Sequence, residues 1–269
     1  MSTPKIVDKP LIEMRNISRE INASNNKTKT LLSNISWSLS RSSRVAVLSN
    51  SPLSSQAFLE CASGVTPTQK GRIAIHGNIS WPIGMRGGLL PNLSGKHNAS
   101  FLQQIYGDSG FRSREMDFIQ SLADISDELF NKPIKRYSKV IRERFYIALG
   151  LAFEFDAYII PKSYIWKSEG LTDRQLDFHK VLRQRTEGKP LIMTGNDHDF
   201  MQEYCDEGIL LENGEITFSG PFQDCRNRFN ETDKSEQLQE ELLIDQDESN
   251  NKASSYDEFN DTDLSDDIW

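Results

Sequence analysis

Apolar and polar positions alternate with a period of two in LIEMRNISREI (residues 11–21) and again in LLSNISWSLS (31–40), with the polar run NASNNKTKT between them. That period marks half-buried strands, so the two segments predict an antiparallel pair joined by a polar loop. RVAVL (44–48) is an unbroken apolar run, the pattern of a strand covered on both faces. GRIAIHGNISW (71–81) adds strand material interrupted at Gly77. Between 97 and 153 the spacing lengthens to three or four residues, and FLQQIYG, REMDFIQSLADISDELF and KVIRERFYIALGLAFEF predict a helical region. DAYIIPKS is an apolar strand closed by Pro161, a helix runs through QLDFHKVLRQR, and KPLIMTGND is another buried strand. CDEGILLENGEITFSG predicts a hairpin turning on Asn213 and Gly214, a dipeptide suited to the left-handed backbone of a two-residue turn. The whole pattern is that of an α/β protein.

One stretch organises the rest. VAVLSNSPLSSQAFLECASG (45–64) reads as strand, turn and helix. In α/β proteins such a junction is where phosphate is held, because turn amides and the helix N-terminus converge on one point. A phosphate loop needs glycines for close backbone approach, a lysine for the outer phosphates and a hydroxyl for magnesium. Here Ser49, Pro52, Ser54, Ser55 and Gln56 occupy those places.

Charge divides the chain unevenly. Residues 231–269 hold fourteen acidic residues and two lysines, a local charge of −12 that leaves +4 for residues 1–230. So acidic a segment cannot bury enough apolar surface to offset its ordering entropy, and it is expected to be a mostly disordered tail. Its role is either solvation or docking to a basic partner through Tyr256, Phe259 and Trp269. At 269 residues the chain accommodates one α/β domain with that appendage. No run of 18 apolar residues is present, and MSTPKIVDKP, read as a flexible N-terminus over 1–10, has no apolar signal core. Cys61, Cys205 and Cys225 are neither even in number nor spaced for zinc, so no metal is expected and a cytoplasmic location follows.

Two further features are candidates for partners. WPIGMRGGLLPNLSG (81–95) contains Gly84, Gly87, Gly88, Gly95, Pro82 and Pro91, a flexible loop by composition. Its Trp81, Pro82, Met85, Leu89, Leu90 and Asn92 are the candidate docking residues. Lys132, Lys135, Arg136, Lys139, Arg142 and Arg144 crowd the start of the last helix of the helical region, either as a solvated face or as an anion-facing edge. Without an aromatic platform, and with a body charge of only +4, nucleic-acid binding is not expected.

The order of these elements resembles the nucleotide-binding subunit of an ABC transporter, most of all the ATPase subunit of exporters of capsular or related polysaccharides. ISWPIGMRGGLLPNLSGKHNASFLQQIYG carries that family's Ser-Trp-Pro-x-Gly loop, glycine pair, Leu-x-Gly step and following Phe and Ile-Tyr-Gly. RYSKVIRERFYIALGLAFEFDAYII is similar to its signature helix running into the Walker B strand, and YCDEGILLENGEI to its closing hairpin. The resemblance spans residues 11–228. It implies an ABC ATPase-like domain over 11–230: a RecA-like P-loop core, an antiparallel β subdomain and a helical subdomain near 97–150, with the acidic tail after it.

Position by position, the resemblance also implies which chemistry is missing. The aromatic that stacks on adenine falls at Ile21, the phosphate lysine at Ser55, the magnesium hydroxyl at Gln56 and the inter-lobe glutamine at Leu90. In the signature motif Ser138 is retained, but Lys139 and Val140 replace small residues. The Walker B aspartate has become Pro161, the catalytic glutamate Lys162, and the switch histidine falls at Asn196 with His198 two residues on. The expectation is therefore a pseudo-ATPase with no catalytic residue and no required cofactor. Ser49, Ser54, Ser55 and Gln56 would form a degenerate phosphate loop with Lys162 as a lone anion contact, which leaves weak, magnesium-independent nucleotide binding open.

Three readings stand at this point. The chain is a non-hydrolysing subunit of a polysaccharide exporter, peripheral at the inner face of the plasma membrane, docking to a permease and pairing with an intact ATPase or with itself. Alternatively it is a soluble regulator or adaptor of polysaccharide export or synthesis that uses the scaffold and the acidic tail. The third is an enzyme with rewired nucleotide chemistry on Lys162, Ser55 and Asn196.

Overall fold

The computed structural model describes residues 9–22, 28–107, 112–161 and 173–232. The chain divides into two units, Met1–Arg226 and Asn227–Trp269. Of the second, 227–232 are described and are helical; the expected acidic tail lies otherwise outside the described residues, as does Lys162.

In the first unit, β1 (Ile12–Asn22) pairs antiparallel with β2 (Thr28–Leu39) and with β4 (Lys70–Ile75) in a three-stranded sheet ordered β2-β1-β4. The alternation buries Ile12, Met14 and Ile17 of β1 against Leu32, Ile35 and Leu39 of β2. It slips at a bulge between Met14 and Ile17, where Asn16 (φ 53°) faces Asn34 (φ 51°) and donates to its Oδ1 at 2.8 Å. Asparagine tolerates that left-handed backbone because its short side chain bonds locally.

The second sheet is ordered β5-β6-β7-β3-β8-β9, parallel except for its last pair. Its strands are β3 (Arg44–Leu48), β5 (Ile79–Pro82), β6 (Ala157–Ile160), β7 (Leu191–Thr194), β8 (Glu207–Glu212) and β9 (Glu215–Pro221). β3 lies between β7 and β8, and Val45, Ala46, Val47 and Leu48 are buried. Each such valine or leucine contributes about 1.5–3 kcal/mol. α1 (Pro52–Ala62) leaves the turn after β3 and packs Phe58 against Trp37 of β2, ring centroids 5.2 Å apart, so it also supports the three-stranded sheet.

Between β5 and β6 lie α2 (Gly95–Tyr106), α3 (Arg112–Ala123), α4 (Asp127–Phe130), a short 3-10 turn at Ile134–Arg136 and α5 (Lys139–Ala152). The segment REMDFIQSLADISDELF is not one helix. Asp124 takes φ 57°, ending α3, and Ser126 accepts from the Leu129 amide to cap α4. α6 (Asp173–Thr186), α7 (His198–Tyr204) and a helix at 222–226 complete the unit. The hairpin turns on Asn213 (φ 50°) and Gly214 (φ 84°), both left-handed as the dipeptide predicts.

Candidate functional site

The carboxyl ends of three neighbouring strands meet at one place. β3 runs into Ser49, β6 into Pro161 and β7 into Gly195 and Asn196, and these surround a cavity of 290 Å³ with Pro52, Leu53, Ser55, Gln56 and Met85. Open α/β sheets bind ligands at such a point. Among the described residues that line it there is no cation and no carboxylate.

The turn between β3 and α1 shows where its own donors go. The Ser51 amide donates to Ser49 Oγ at 3.1 Å, the Ser54 amide to Ser51 Oγ at 3.3 Å, and the Ser55 amide to the Ser51 carbonyl at 3.0 Å. Ser54 Oγ also donates to Ser51 Oγ at 2.9 Å, and Pro52 has no amide hydrogen to offer. Ser51, extended at φ −106° and ψ 100°, is thus an ordinary N-cap. The N–H groups of Ser51, Ser54 and Ser55 are thus engaged by the turn itself.

Gln56 lines the cavity and reaches along α1. Its Nε2 donates to Glu60 Oε1 at 2.8 Å, while Glu60 Oε2 receives Arg19 at 2.7 Å and Thr66 at 3.2 Å. Burial raises the Glu60 carboxyl, but the hydrogen bonds from Gln56 and Arg19 outweigh it and hold the group below its ordinary value. Neither Arg19 nor Glu60 stands out in the sequence. Ile21 packs against the apolar core of the three-stranded sheet. Asn196 is exposed at the cavity, and the next residue, Asp197, caps α7 by accepting from the Phe200 amide at 3.1 Å.

The loop from Ile83 to Ser94 is more tightly held than its glycines predict. Ile83 donates to Ile159, Leu93 accepts from Ile134 and Pro91 accepts from Lys135, all through backbone groups. Asn98 of α2, 3% exposed, accepts from the Leu90 amide at 2.8 Å and donates to the carbonyls of Leu90 and Ser94 at 3.0 and 2.9 Å. Of the six candidate docking residues, Trp81, Pro82 and Leu89 are buried, Met85 is half-buried and lines the cavity, and Leu90 and Asn92 are exposed. Trp81 belongs to a ring cluster with Tyr106 and Phe155 at 5.4 and 5.7 Å. Of those six, Leu90, 57% exposed, and Asn92 reach the surface, on a loop that also exposes Arg86, Gly87, Gly88 and Leu93; Phe101 and Ile105 of α2 are exposed as well.

At the start of α5, Ser138 caps the helix by accepting from the Ile141 amide at 3.3 Å. Lys139 and Val140 follow, both exposed. The basic cluster separates into two kinds. Lys132 pairs with Glu128 at 2.5 Å, and Arg144 turns inward, 4.0 Å from Asp124 and over the Phe178 ring, where burial lowers its pKa. Lys135, Arg136 and Lys139 face solvent, with Arg142 half-buried beside them.

Among the described residues no group of histidine, cysteine or carboxylate is arranged to hold a metal, and no helix is long and apolar enough to cross a membrane. The three cysteines are buried and none forms a disulfide.

No protein-family model matches the chain. Curated relatives do. The ATP-binding protein BexA of Haemophilus influenzae is 26% identical over 225 residues, 83% of this chain and 100% of that protein. The capsule polysaccharide export ATP-binding protein CtrD of Neisseria meningitidis is 27% identical over 191 residues, 70% of this chain and 84% of that one. The polysialic acid transport ATP-binding protein KpsT of Escherichia coli is 27% identical over 167 residues, 62% and 74% of the two chains. Among solved structures, the dimeric ATP-binding cassette MJ0796 in a post-hydrolysis state bound to ADP and Pi superposes with a TM-score of 0.60 at 14% identity, over 78% of this chain and 98% of its own. The ATP-binding subunit of another ABC transporter gives 0.61 at 16% identity, over 82% and 93%. The fold is that of an ABC ATPase domain.

Proposed function

We propose that this chain, a homologue of the ATP-binding subunits of ABC exporters of capsular and related polysaccharides, is the ATP-binding-like subunit of such an exporter, docks to its membrane permease at the inner face of the plasma membrane, and does not itself hydrolyse ATP. The observation that carries this reading is the turn after β3, whose amides at Ser51, Ser54 and Ser55 are bonded within the turn. A magnesium nucleotide does not fit the groups around the cavity. Each missing charge-assisted contact to phosphate weakens binding by about 1.5–3 kcal/mol, roughly one to two powers of ten. The resemblance puts Lys162 in the place of the catalytic glutamate, and a lysine ammonium, protonated at neutral pH, cannot take a proton from water.

What the scaffold retains is packing and surface. Asn98 holds Leu90 in place, so the loop presents a fixed apolar contact beside Asn92, as a docking element requires. The test is affinity capture of the full chain from membranes of its own cell. An integral membrane permease should be recovered with the parent, and about tenfold less of it with Leu90→Asp, a change at an exposed position that leaves the fold intact. Recovery of the chain without a permease would contradict this reading.

A further inference from the structure

The cavity at the ends of β3, β6 and β7 has polar groups with no partner of their own. Thr194, the last residue of β7, lines it, is only 6% exposed, and makes no side-chain hydrogen bond among the described residues. A buried hydroxyl ordinarily finds a partner, so one that meets only a cavity marks a place for a ligand atom. The Ser55 hydroxyl and the Asn196 carboxamide line the same cavity and are likewise without a hydrogen bond among the described residues. Leu53, Met85 and Pro161 supply apolar wall. Charge then decides what fits. The described lining holds no cation and no carboxylate, and the amides of Ser51, Ser54 and Ser55 are engaged within the turn, so an anion entering here would give up water without gaining a counter-charge. A neutral molecule avoids that cost. Hydroxyls donate or accept and a carboxamide does both, which together complement the edge of another amide. Leucine, proline and methionine suit the face of a flat ring, the methionine sulfur favourably so. At 290 Å³ the space lies at the lower limit of ligand clefts, about 300 Å³, which suits a single ring better than a nucleotide.

We propose that this cavity binds a small uncharged ring compound bearing a carboxamide or lactam, its amide edge met by Thr194, Ser55 and Asn196 and its ring by Leu53, Met85 and Pro161. The inference rests on the proposed function in one respect: magnesium nucleotide leaves the cavity to another occupant.

Saturation-transfer NMR titrations of the full chain with nicotinamide and with nicotinate test it, because the two probes share a ring and differ in charge at neutral pH. Nicotinamide should bind with a Kd of about 1 mM, and nicotinate at least about tenfold more weakly. Thr194→Val keeps the shape of the side chain and removes its hydroxyl; it should weaken nicotinamide about tenfold while the melting curve stays that of the parent. Asn196→Ala, at an exposed position, should also weaken it. Nicotinate binding as tightly as nicotinamide overturns the inference and makes the cavity an anion site. Absence of nicotinamide binding overturns it too, as does binding indifferent to Thr194→Val. Titration with magnesium and ATP separates the two proposals: ATP that displaces nicotinamide contradicts the proposed function, whereas a chain that binds neither nicotinamide nor ATP contradicts this inference alone.

Discussion

Ser54 gives both its amide and its hydroxyl hydrogen to a single oxygen, the Oγ of Ser51, at 3.3 and 2.9 Å. The turn between β3 and α1 is thereby a helix cap, and these donors are used in holding the start of α1.

This relationship predicts the effect of removing the oxygen. Ser51→Ala should lower unfolding stability by about 0.5–2 kcal/mol and Ser51→Gly by only a few tenths, as at other N-caps. Urea denaturation of the purified chain measures both. An unchanged midpoint in Ser51→Ala would mean that the cap does not form.

Asn98 makes a comparable prediction for the docking loop. Asn98→Ala leaves the Leu90 amide without its partner, at about 1–3 kcal/mol, while the Leu90 and Ser94 carbonyls keep the backbone amides of Leu93 and Asn98. Amide exchange should quicken at Leu90, and stability should fall. Slow exchange at Leu90 in the variant would show that the backbone bonds of the loop suffice.

Gly95 opens α2 where no side chain fits. A Cβ there would run into Tyr137 Oη and come within 3.0 Å of Phe130 Cδ2. Tyr137 is buried with its ring edge-on to Phe145, centroids 5.6 Å apart, so the hydroxyl cannot give way cheaply. Gly95→Ala should cost about 1–3 kcal/mol, read as a lower melting temperature. Removing the obstructing oxygen with Tyr137→Phe should recover part of that loss.

Much of the fold was legible because local pattern and tertiary outcome agree. The period-two segments became β1 and β2, RVAVL became the buried central strand β3, and Asn213-Gly214 made the hairpin. The break between α3 and α4 was not legible, since Asp124 carries no glycine or proline signal and only its left-handed backbone ends the helix. Composition also misjudged the loop after β5: its glycines predict freedom, but the residue that restrains it, Asn98, lies on the next helix and bonds Leu90 from there. In the site, residue types could be placed by resemblance, whereas the destinations of the Ser51, Ser54 and Ser55 amides depend on geometry that no residue type encodes. Trp81, which by sequence reads as a partner contact because it precedes a glycine-rich loop, is buried with its ring among Tyr106 and Phe155.

Glu60 links stability to pH. Its folded carboxyl lies below the ordinary 4.5, so the stabilisation is fully present above that value and is lost as pH falls through the lower folded one. Glu60→Gln should therefore cost about 1 kcal/mol at neutral pH, a figure discounted for the partial exposure of the Arg19 pair, and the gap from the parent should narrow as pH falls below 4.5. A gap that is constant with pH would assign the effect to packing rather than charge.

Phosphate release from ATP and magnesium by the purified full chain bears most directly on whether the scaffold still works as an engine. The account predicts release no greater than that of a heat-killed control. Sustained turnover of about one per second, at the low end for enzymes, would contradict it.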